Sequence, residues 1–241
     1  MRPHASVRLL PPAADGGDEY VALREGGGEE EIVHLHDYAR VYSVPGLYEH
    51  IVQDLLRCRS PQVASAALER LAGDPAALRV LDLGAGTGLV GELIRGFGVG
   101  VVIGMDAVGA AREACLRDRP GVYDDYVVGE LGTLDAQLRA HTPNALVAAG
   151  VFGGTHMPAS ALAGALTLLP EGAPVVFTIH ERWTHTDEPG GFLTPLAQMI
   201  DSGELVVLER SRFLHRVTTG GEPIHYELFG ASNGTPARSA T

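Results

Sequence analysis

Four residues at alternating positions form the clearest ligand-binding pattern in this 241-residue chain. Asp82, Gly84, Gly86 and Gly88 follow an apolar run that begins after Arg79. Glycine lets the backbone turn sharply and approach a ligand without an intervening Cβ. Amides at the start of a following helix can then donate hydrogen bonds to that ligand. The pattern predicts a strand, a glycine turn and a helix, the first half of a nucleotide-binding βαβ unit.

The spacing of the glycines separates two classes of such turns. The dinucleotide fingerprint is Gly-x-Gly-x-x-Gly, and counting from Gly84 puts its last position at Leu89. Counting from Gly86 accommodates Gly88 and Gly91, but Asp82 then matches the strand end poorly. The pattern that fits throughout is acid-x-Gly-x-Gly-x-Gly.

Two further acids follow predicted strands. Asp106 ends the apolar run over 99–105 and lies 18 residues after Gly88. In nucleoside-binding βαβ units, an acid near this spacing accepts hydrogen bonds from ribose hydroxyls. Capping of a helix over 108–117 is an alternative that the same position allows. Glu130, after a short strand over 126–128, is a candidate acceptor for an adenine amino group or a solvent-exposed residue.

Two histidines are candidate catalytic residues because each follows a predicted strand of the sheet. His156 comes after the strand over 144–150, and His180 after the strand over 174–179. An imidazole titrates near neutral pH, so either can accept a proton, although each can instead simply hydrogen-bond a loop. Tyr48, Trp183 and His185 are further candidates for a pocket wall.

The remaining histidine patterns predict no site. His34-x-His36-Asp37 lacks partners at a metal-ligand spacing, which favours a surface polar run. His215 and His225 fall on a predicted hairpin and are interpreted as residues on the sheet surface.

Elements that position these residues alternate along the chain. Strands are predicted over 79–83, 99–105, 126–128, 144–150 and 174–179, with helices between them. Two longer strands, over 205–217 and 224–229, form an antiparallel hairpin. The fold class is therefore α/β, a doubly wound Rossmann-like sheet of seven strands with a C-terminal antiparallel hairpin. The predicted organisation is a flexible N-terminal segment (1–30), a helical cap or lid (31–74), a ligand-binding domain (75–231) and a flexible tail (232–241). The first segment is predicted to be loosely ordered because prolines at 11–12 and glycines at 26–28 interrupt its short apolar runs.

The composition limits the classes of partner. The formal charge is −12, which argues against nucleic acid because such proteins neutralise phosphates with a basic patch. There is no lysine, which excludes a lysine Schiff base and a P-loop. Cys58 and Cys115 match neither a disulfide framework nor a zinc site. No apolar run reaches membrane-spanning length and no signal pattern is present, so we expect a cytoplasmic protein without a membrane partner. Abundant Ala, Gly and Arg suggest a bacterial coding sequence.

The acid and glycine motif, with the order of strands over 79–230, resembles the class I S-adenosylmethionine (SAM)-dependent methyltransferases. A narrower likeness lies in residues 37–49, in Ser60-Pro61, and in residues 152–156 followed by Pro158. These segments resemble the small methyltransferase-like group named for the Williams–Beuren chromosomal region and its bacterial relatives. The resemblance implies SAM as cofactor, S-adenosylhomocysteine as product, no metal, and the class I methyltransferase fold.

The same resemblance implies roles for individual residues. The glycines approach the methionine part, Asp82 anchors the turn, and Asp106 holds the ribose. Glu130 departs from the Asp that many members carry, which weakens the adenine assignment. The implied cofactor-binding residues are Tyr42, Asp82, Gly84, Ala85, Gly86, Thr87, Gly88, Asp106, Ala107, Glu130, Leu131, Gly150 and Val151.

The favoured hypothesis is a SAM-dependent methyltransferase (EC 2.1.1.-) that acts on a small-molecule acceptor as a monomer or homodimer. Proximity and orientation supply much of the rate, with a histidine base if the acceptor arrives protonated. One alternative is a SAM-binding regulator that has lost transfer. A nicotinamide-dependent oxidoreductase is another, and Leu89 and the terminal hairpin count against it.

Overall fold

The computed structural model describes residues 5–12, 18–154 and 156–234. Its centre is a seven-stranded sheet in the order β6-β5-β4-β7-β8-β10-β9. The strands are β4 (Arg79–Leu83), β5 (Val101–Asp106), β6 (Asp125–Val128), β7 (Ala145–Phe152), β8 (Pro174–His180), β9 (Leu205–Val217) and β10 (Pro223–Asn233).

Strands β4 to β8 are parallel, and β10 runs antiparallel to both β8 and β9. The central strands are buried along most of their length, as their continuous apolar runs require for a sheet covered on both faces. Strand order reverses between β4 and β7, which places a crevice at the carboxyl ends of these two strands. The predicted doubly wound sheet with a terminal antiparallel hairpin is confirmed.

Helices cover the sheet and part of its carboxyl edge. A π-helical turn over His50–Leu55 continues α2, and a 3-10 turn over Pro75–Ala77 precedes β4. The α-helices are α1 (Tyr38–Ser43), α2 (Leu47–Glu49), α3 (Ser60–Leu71), α4 (Leu89–Gly96), α5 (Gly109–Asp118), α6 (Asp135–Ala140), α7 (Ala159–Leu166), α8 (Glu181–Thr184) and α9 (Leu193–Asp201). Within the described residues, no helix is both long enough and apolar enough to span a membrane.

The N-terminal segment differs from the flexible one that the sequence predicts. Strands β1 (Ala5–Leu9), β2 (Tyr20–Glu25) and β3 (Glu31–His34) form a separate antiparallel sheet. The glycines at 26–28 that suggested loose order instead make the turn between β2 and β3. Val21, Leu23 and Val33 are buried against the helices that follow, which explains why the strands are held. Residues 1–4 and 13–17 of that predicted segment lie outside the described residues.

The predicted flexible tail (232–241) includes two residues that the structure places in a strand. Strand β10 continues through Asn233, which is buried. The Asn233 side-chain amide donates to the carbonyls of Leu166, Leu169 and Pro170, at 3.3, 3.1 and 3.1 Å. These bonds fix the last residues of the strand, whereas 235–241 lie outside the described residues. The predicted cap over 31–74 contains β3 as well as helices.

Candidate functional site

The glycine turn follows β4 and shapes its carboxyl end. Gly84, Gly86 and Gly88 have φ angles of 73°, 53° and 90°, in the left-handed region that favours glycine. A Cβ on Gly84 would lie 2.2 Å from Cγ1 of Val151, so β7 packs directly against the bare backbone of the turn. The turn is fixed to β5 because the amides of Gly84 and Ala85 both donate to the Met105 carbonyl.

Asp106, at the end of β5, lies against this turn. Its Oδ2 accepts from the Gly86 amide and its Oδ1 from the Val108 amide, both at 2.9 Å. Asp106 therefore braces the glycine turn and also caps the approach to α5. Burial raises the pKa of the Asp106 carboxyl, and the two amides act in the opposite direction. Each carboxylate oxygen has a second lone-pair site, so a ligand hydroxyl can still donate to it.

A cavity of about 780 Å³ opens at this edge of the sheet and brings most of the predicted site residues together. Those that line it are Tyr42, Gly84, Ala85, Gly86, Thr87, Asp106, Ala107, Glu130, Leu131, Gly150, Val151 and His156. Of the predicted wall residues, Tyr48 also lines it. The lining formed by the described residues does not include five of the predicted ones, namely Asp82, Gly88, His180, Trp183 and His185.

Asp82 and Gly88 lie behind the cavity wall. Asp82 is buried, and its Oδ2 accepts a 2.6 Å hydrogen bond from the Tyr123 hydroxyl. Burial raises the pKa of Asp82 to about 7, although the Tyr123 bond opposes the shift. A Cβ on Gly88 would lie 2.8 Å from Cys115 Sγ, so this glycine faces α5. Both residues are placed to support the turn, not to contact a ligand in the cavity.

His180 also stands outside the cavity. Its Nδ1 accepts from the Arg182 amide at 3.0 Å, which caps α8. Its ring lies 5.2 Å from the ring of Tyr226, which does line the cavity. His180 therefore makes a structural hydrogen bond, which the sequence had left open as the alternative to a role as a catalytic base. The predicted wall residue Trp183 instead packs on Gly153 and Gly154.

A row of tyrosines covers the glycine turn. Tyr38 and Tyr42 share a helix face, with ring centroids 5.6 Å apart, and Tyr48 follows 5.1 Å from Tyr42. A Cβ on Gly86 would lie 3.3 Å from the Tyr42 hydroxyl. The bare backbone at Gly86 thus leaves a narrow cradle beneath the tyrosines.

An ionic contact ties the same helices to the turn. Glu49 Oε1 accepts from Arg119 Nη1 at 2.6 Å and from the Thr87 hydroxyl. Arg119 also donates to the Thr87 carbonyl at 3.1 Å. The N-terminal helices are thereby held over the glycine turn.

The sequence interpretation missed several residues that line the cavity. His215 was expected on the sheet surface, and that is wrong, because it is buried and lines the cavity with Ser60 and Tyr226. Position 215 alternates with Phe213 and Val217 along β9, and this period-2 pattern was the available signal that it faces inward. Ser60 had no local signal, because its partner lies 155 positions away.

His36 was interpreted as part of a surface polar run, yet it also lines the cavity. Its ring meets that of His156 edge to face, with centroids 5.4 Å apart. Desolvation and the neighbouring His156, His34 and Arg216 lower the pKa of His36. Desolvation likewise lowers the pKa of His156, so both rings favour the neutral form although each keeps a solvent-exposed side.

Arg216 contributes a cation at this end of the cavity, and Glu19 neutralises it. Arg216 Nη2 donates to Glu19 Oε2 at 2.5 Å, and both side chains are largely buried. The Thr219 amide donates to Glu19 Oε1 at 2.6 Å. Glu19 thus connects the segment before β2 to the terminal hairpin. Within the described part of the chain, no group of His, Cys, Asp or Glu is arranged to hold a metal ion.

Comparison with known proteins agrees with this geometry. The sequence profile of the family described as "Methyltransferase domain" matches residues 48–216, more than half of the chain. Among curated proteins, none matches the chain significantly.

Solved structures share the fold. A SAM-dependent methyltransferase from Mesorhizobium loti is 15% identical, with a TM-score of 0.52, over 72% of this chain and 100% of that one. A proposed RNA methyltransferase, PH1948 from Pyrococcus horikoshii, is 20% identical, with a TM-score of 0.52, over 74% and 88%. Ribosomal protein L11 methylase from Lactobacillus delbrueckii subsp. bulgaricus is 18% identical, with a TM-score of 0.50, over 73% and 79%. At these identities the likeness shows the fold, which matches the class I methyltransferase fold.

Proposed function

Because the chain belongs to the methyltransferase domain family, we propose that it transfers the methyl group of SAM to a small-molecule acceptor bound in the same cavity. The observation that carries this proposal is the meeting of the glycine turn with Asp106 at the cavity edge. A bare turn backbone beside a carboxylate is the arrangement that nucleoside-binding βαβ units use.

The residues present fit the cofactor. The cradle between Gly86 and Tyr42 would be filled by a side chain at position 86, and Asp106 keeps lone pairs for ribose hydroxyls. Glu130 and Leu131 line the cavity where the adenine is assigned, and Gly150 and Val151 line it beneath the methionine part. SAM, when bound, supplies an activated methyl group. We call the turn over 84–88 with Asp106, Gly150 and Val151 the cofactor side.

A second part of the cavity lining is assigned to the acceptor. It consists of His36, Ser60, His156, His215, Arg216 and Tyr226, which we call the acceptor side. Two observations favour a small molecule over RNA. The net charge is −12, and the N-terminal helices enclose part of the cavity through Tyr38, Tyr42 and Tyr48.

These residues accelerate transfer mainly by holding the acceptor in line with the methyl group. Orientation of two reactants can supply a large part of such a barrier. A base is needed only for an acceptor that arrives protonated. Of the two histidines proposed for that role, His156 lines the cavity and remains a candidate, whereas His180 caps α8 behind Tyr226.

The experiment is parallel calorimetric titration of the protein with SAM, S-adenosylhomocysteine and NAD. We expect the first two to bind and NAD not to bind. Binding of NAD alone would contradict the proposal. Incubation with SAM and a panel of small molecules, followed by assay of S-adenosylhomocysteine, then tests transfer. Cofactor binding without product from any acceptor would favour the regulatory alternative.

A further inference from the structure

Ser60 and His215 form a buried pair that no part of the proposed reaction has yet used. Ser60 begins α3, and its Oγ lies 2.6 Å from Nδ1 of His215 on β9. The backbone holds the two elements together, because the Arg59 amide donates to the His215 carbonyl at 2.8 Å. Cys58 Sγ lies 3.8 Å from the same Nδ1. The pair is therefore a fixed contact between the cap and the terminal hairpin.

Stacking fixes the plane of the imidazole. The Tyr226 ring lies parallel to it, with centroids 3.8 Å apart and planes inclined by 23°. His215 is only 8% exposed, yet it and Tyr226 both line the cavity. A ring held by a hydrogen bond on one edge and a stack on one face has a single orientation.

The other edge of the imidazole is directed to the cofactor side. A Cβ on Gly150 would lie 3.7 Å from Cε1 of His215, the atom between the two ring nitrogens. The next residue, Val151, is the one that contacts the glycine turn at Gly84. With Nδ1 engaged by Ser60, Nε2 has no hydrogen-bond partner among the described residues. Cε1, which is bonded to both ring nitrogens, thus lies where the cofactor and acceptor sides meet.

The surroundings keep this ring uncharged. Burial, with Arg216 and His180 nearby, lowers the pKa of His215 well below its ordinary value. Burial raises the pKa values of the Cys58 thiol and the Tyr226 hydroxyl, so both neighbours are neutral as well. Arg216 is paired with Glu19. The acceptor side therefore carries no net charge around His215.

We propose that His215 is the residue that contacts the reacting atom of the acceptor, and that the acceptor is an uncharged aromatic hydroxyl compound. This inference rests on the proposed methyl transfer. Nε2 accepts the hydroxyl proton while the acceptor oxygen bonds to the methyl carbon. The carbon–sulfur bond breaks and its electron pair stays on sulfur. Ser60 is a positioning residue whose Oγ accepts a hydrogen bond from Nδ1–H, which keeps that proton on Nδ1 and leaves the lone pair on Nε2.

The chemistry of the wall selects this class of acceptor. An alkyl amine arrives as a cation, which a neutral acceptor side beside Arg216 does not favour. A thiol ionises at about pH 8.5 and needs base assistance less than a phenol, whose pKa is about 10. The rings of Tyr38, Tyr226 and His156 line the cavity and suit an aromatic molecule.

Nitrogen-15 NMR of histidine-labelled protein with S-adenosylhomocysteine tests the inference, with phenol and anisole as probes. Anisole has the same ring without the hydroxyl proton. We expect His215 as the Nδ1–H tautomer, with an Nε2 resonance that moves upfield on addition of phenol and not of anisole. An Nε2–H tautomer, or a resonance that phenol does not move, would overturn the proposal.

Calorimetry of variants gives a second measurement. For the S-adenosylhomocysteine complex of His215→Gln, we expect phenol affinity to fall about tenfold, with anisole affinity unchanged. His225→Gln, on the same hairpin but outside the cavity, is the matched control and should change neither. Ser60→Ala should lower phenol affinity less and mix the His215 tautomers. Equal phenol and anisole affinities in the unaltered protein would contradict the inference even if a variant fails to fold. Failure of S-adenosylhomocysteine to bind would instead refute the proposed function.

Discussion

The cofactor side of the cavity is formed mainly by backbone atoms, whereas the acceptor side is formed by side chains. The cofactor side is largely backbone, in which glycines follow one strand and a carboxylate braces their amides. The acceptor side is made of side chains from α3, β9, β10 and two loops, joined by contacts such as Ser60 to His215. A backbone-built wall suits a ligand common to many proteins, whereas a side-chain-built wall can change with the acceptor.

Gly84→Ala should produce the largest effect, because it damages the backbone-built side directly. The new Cβ would lie 2.2 Å from Val151 Cγ1 at a φ of 73°. Strain and overlap together should cost about 4 kcal/mol of unfolding free energy and weaken S-adenosylhomocysteine binding at least tenfold. Denaturant titration and calorimetry measure the two effects.

Gly172→Ala is the matched control for that substitution. Its φ is 80°, but nothing lies within 4 Å of a Cβ there. Only the strain of about 1–2 kcal/mol should remain, with unchanged ligand affinity. If both variants bind S-adenosylhomocysteine normally, the contact of the turn with β7 does not shape the cofactor side.

Glu19→Gln should destabilise the acceptor side and leave the cofactor side intact, which tests whether the two sides are independent. It leaves the largely buried Arg216 without its counter-charge, which should cost about 3 kcal/mol of unfolding free energy. S-Adenosylhomocysteine affinity should change less than about twofold, because Glu19 contacts no residue of the cofactor side.

Glu30→Gln controls for removal of a carboxylate in the N-terminal sheet. Its pair with Arg8 is exposed and should contribute less than about 1 kcal/mol. A parallel loss of ligand affinity in Glu19→Gln would mean that the two sides are not separable.

Asp106→Asn tests the one side chain on which the backbone-built side depends. It removes a charge-assisted acceptor from the Gly86 amide and, under the proposed function, from the ribose, so ligand binding should weaken by about 2 kcal/mol, or roughly 30-fold. Calorimetry with S-adenosylhomocysteine measures the loss. Asp125→Asn, on the adjacent strand and outside the cavity, should leave affinity unchanged. Unaltered binding in Asp106→Asn would show that the ribose is held elsewhere.

Asp82→Asn should have the smallest effect, and one that depends on pH. Burial raises the folded-state pKa of Asp82 to about 7, while the unfolded value is near 4. The folded protein therefore binds more protons between these values, and stability is lost as pH rises through them. Relative to the variant, the unaltered protein should lose about 1 kcal/mol between about pH 5.5 and 6.5. Denaturant titrations at both pH values measure this, and a constant difference would refute the raised pKa.

The two sides also differ in how far the sequence predicts them. The glycine turn, β5 and Asp106 lie in one continuous stretch whose spacing reflects a single local structure, and the α/β class follows from alternation of elements. The roles assigned to cofactor-side residues remain predictions. On the acceptor side, His156 was predicted from its place after a strand. The contact between Ser60 and His215 could not be predicted, because the two are 155 positions apart and polar residues on a strand give no indication of their partner.

The N-terminal sheet is a second structure that depends on contacts between segments distant in the sequence. Proline and glycine in the first 30 residues predicted loose order, and they proved to include the turn between β2 and β3. What holds these strands is burial of Val21, Leu23 and Val33 against helices that come later in the chain. Local composition cannot report a contact whose partner is supplied by another part of the fold.

The ion pair between Glu19 and Arg216 has a consequence for synthesis, since 197 positions separate its members. On the ribosome, β4, β5 and the glycine turn are made well before β9 appears. The acceptor side cannot form before the hairpin has been made, and contacts between residues so far apart in the sequence form slowly. A growing chain can therefore assemble the side proposed to hold the methyl donor while it still lacks the side proposed to select what receives the methyl group.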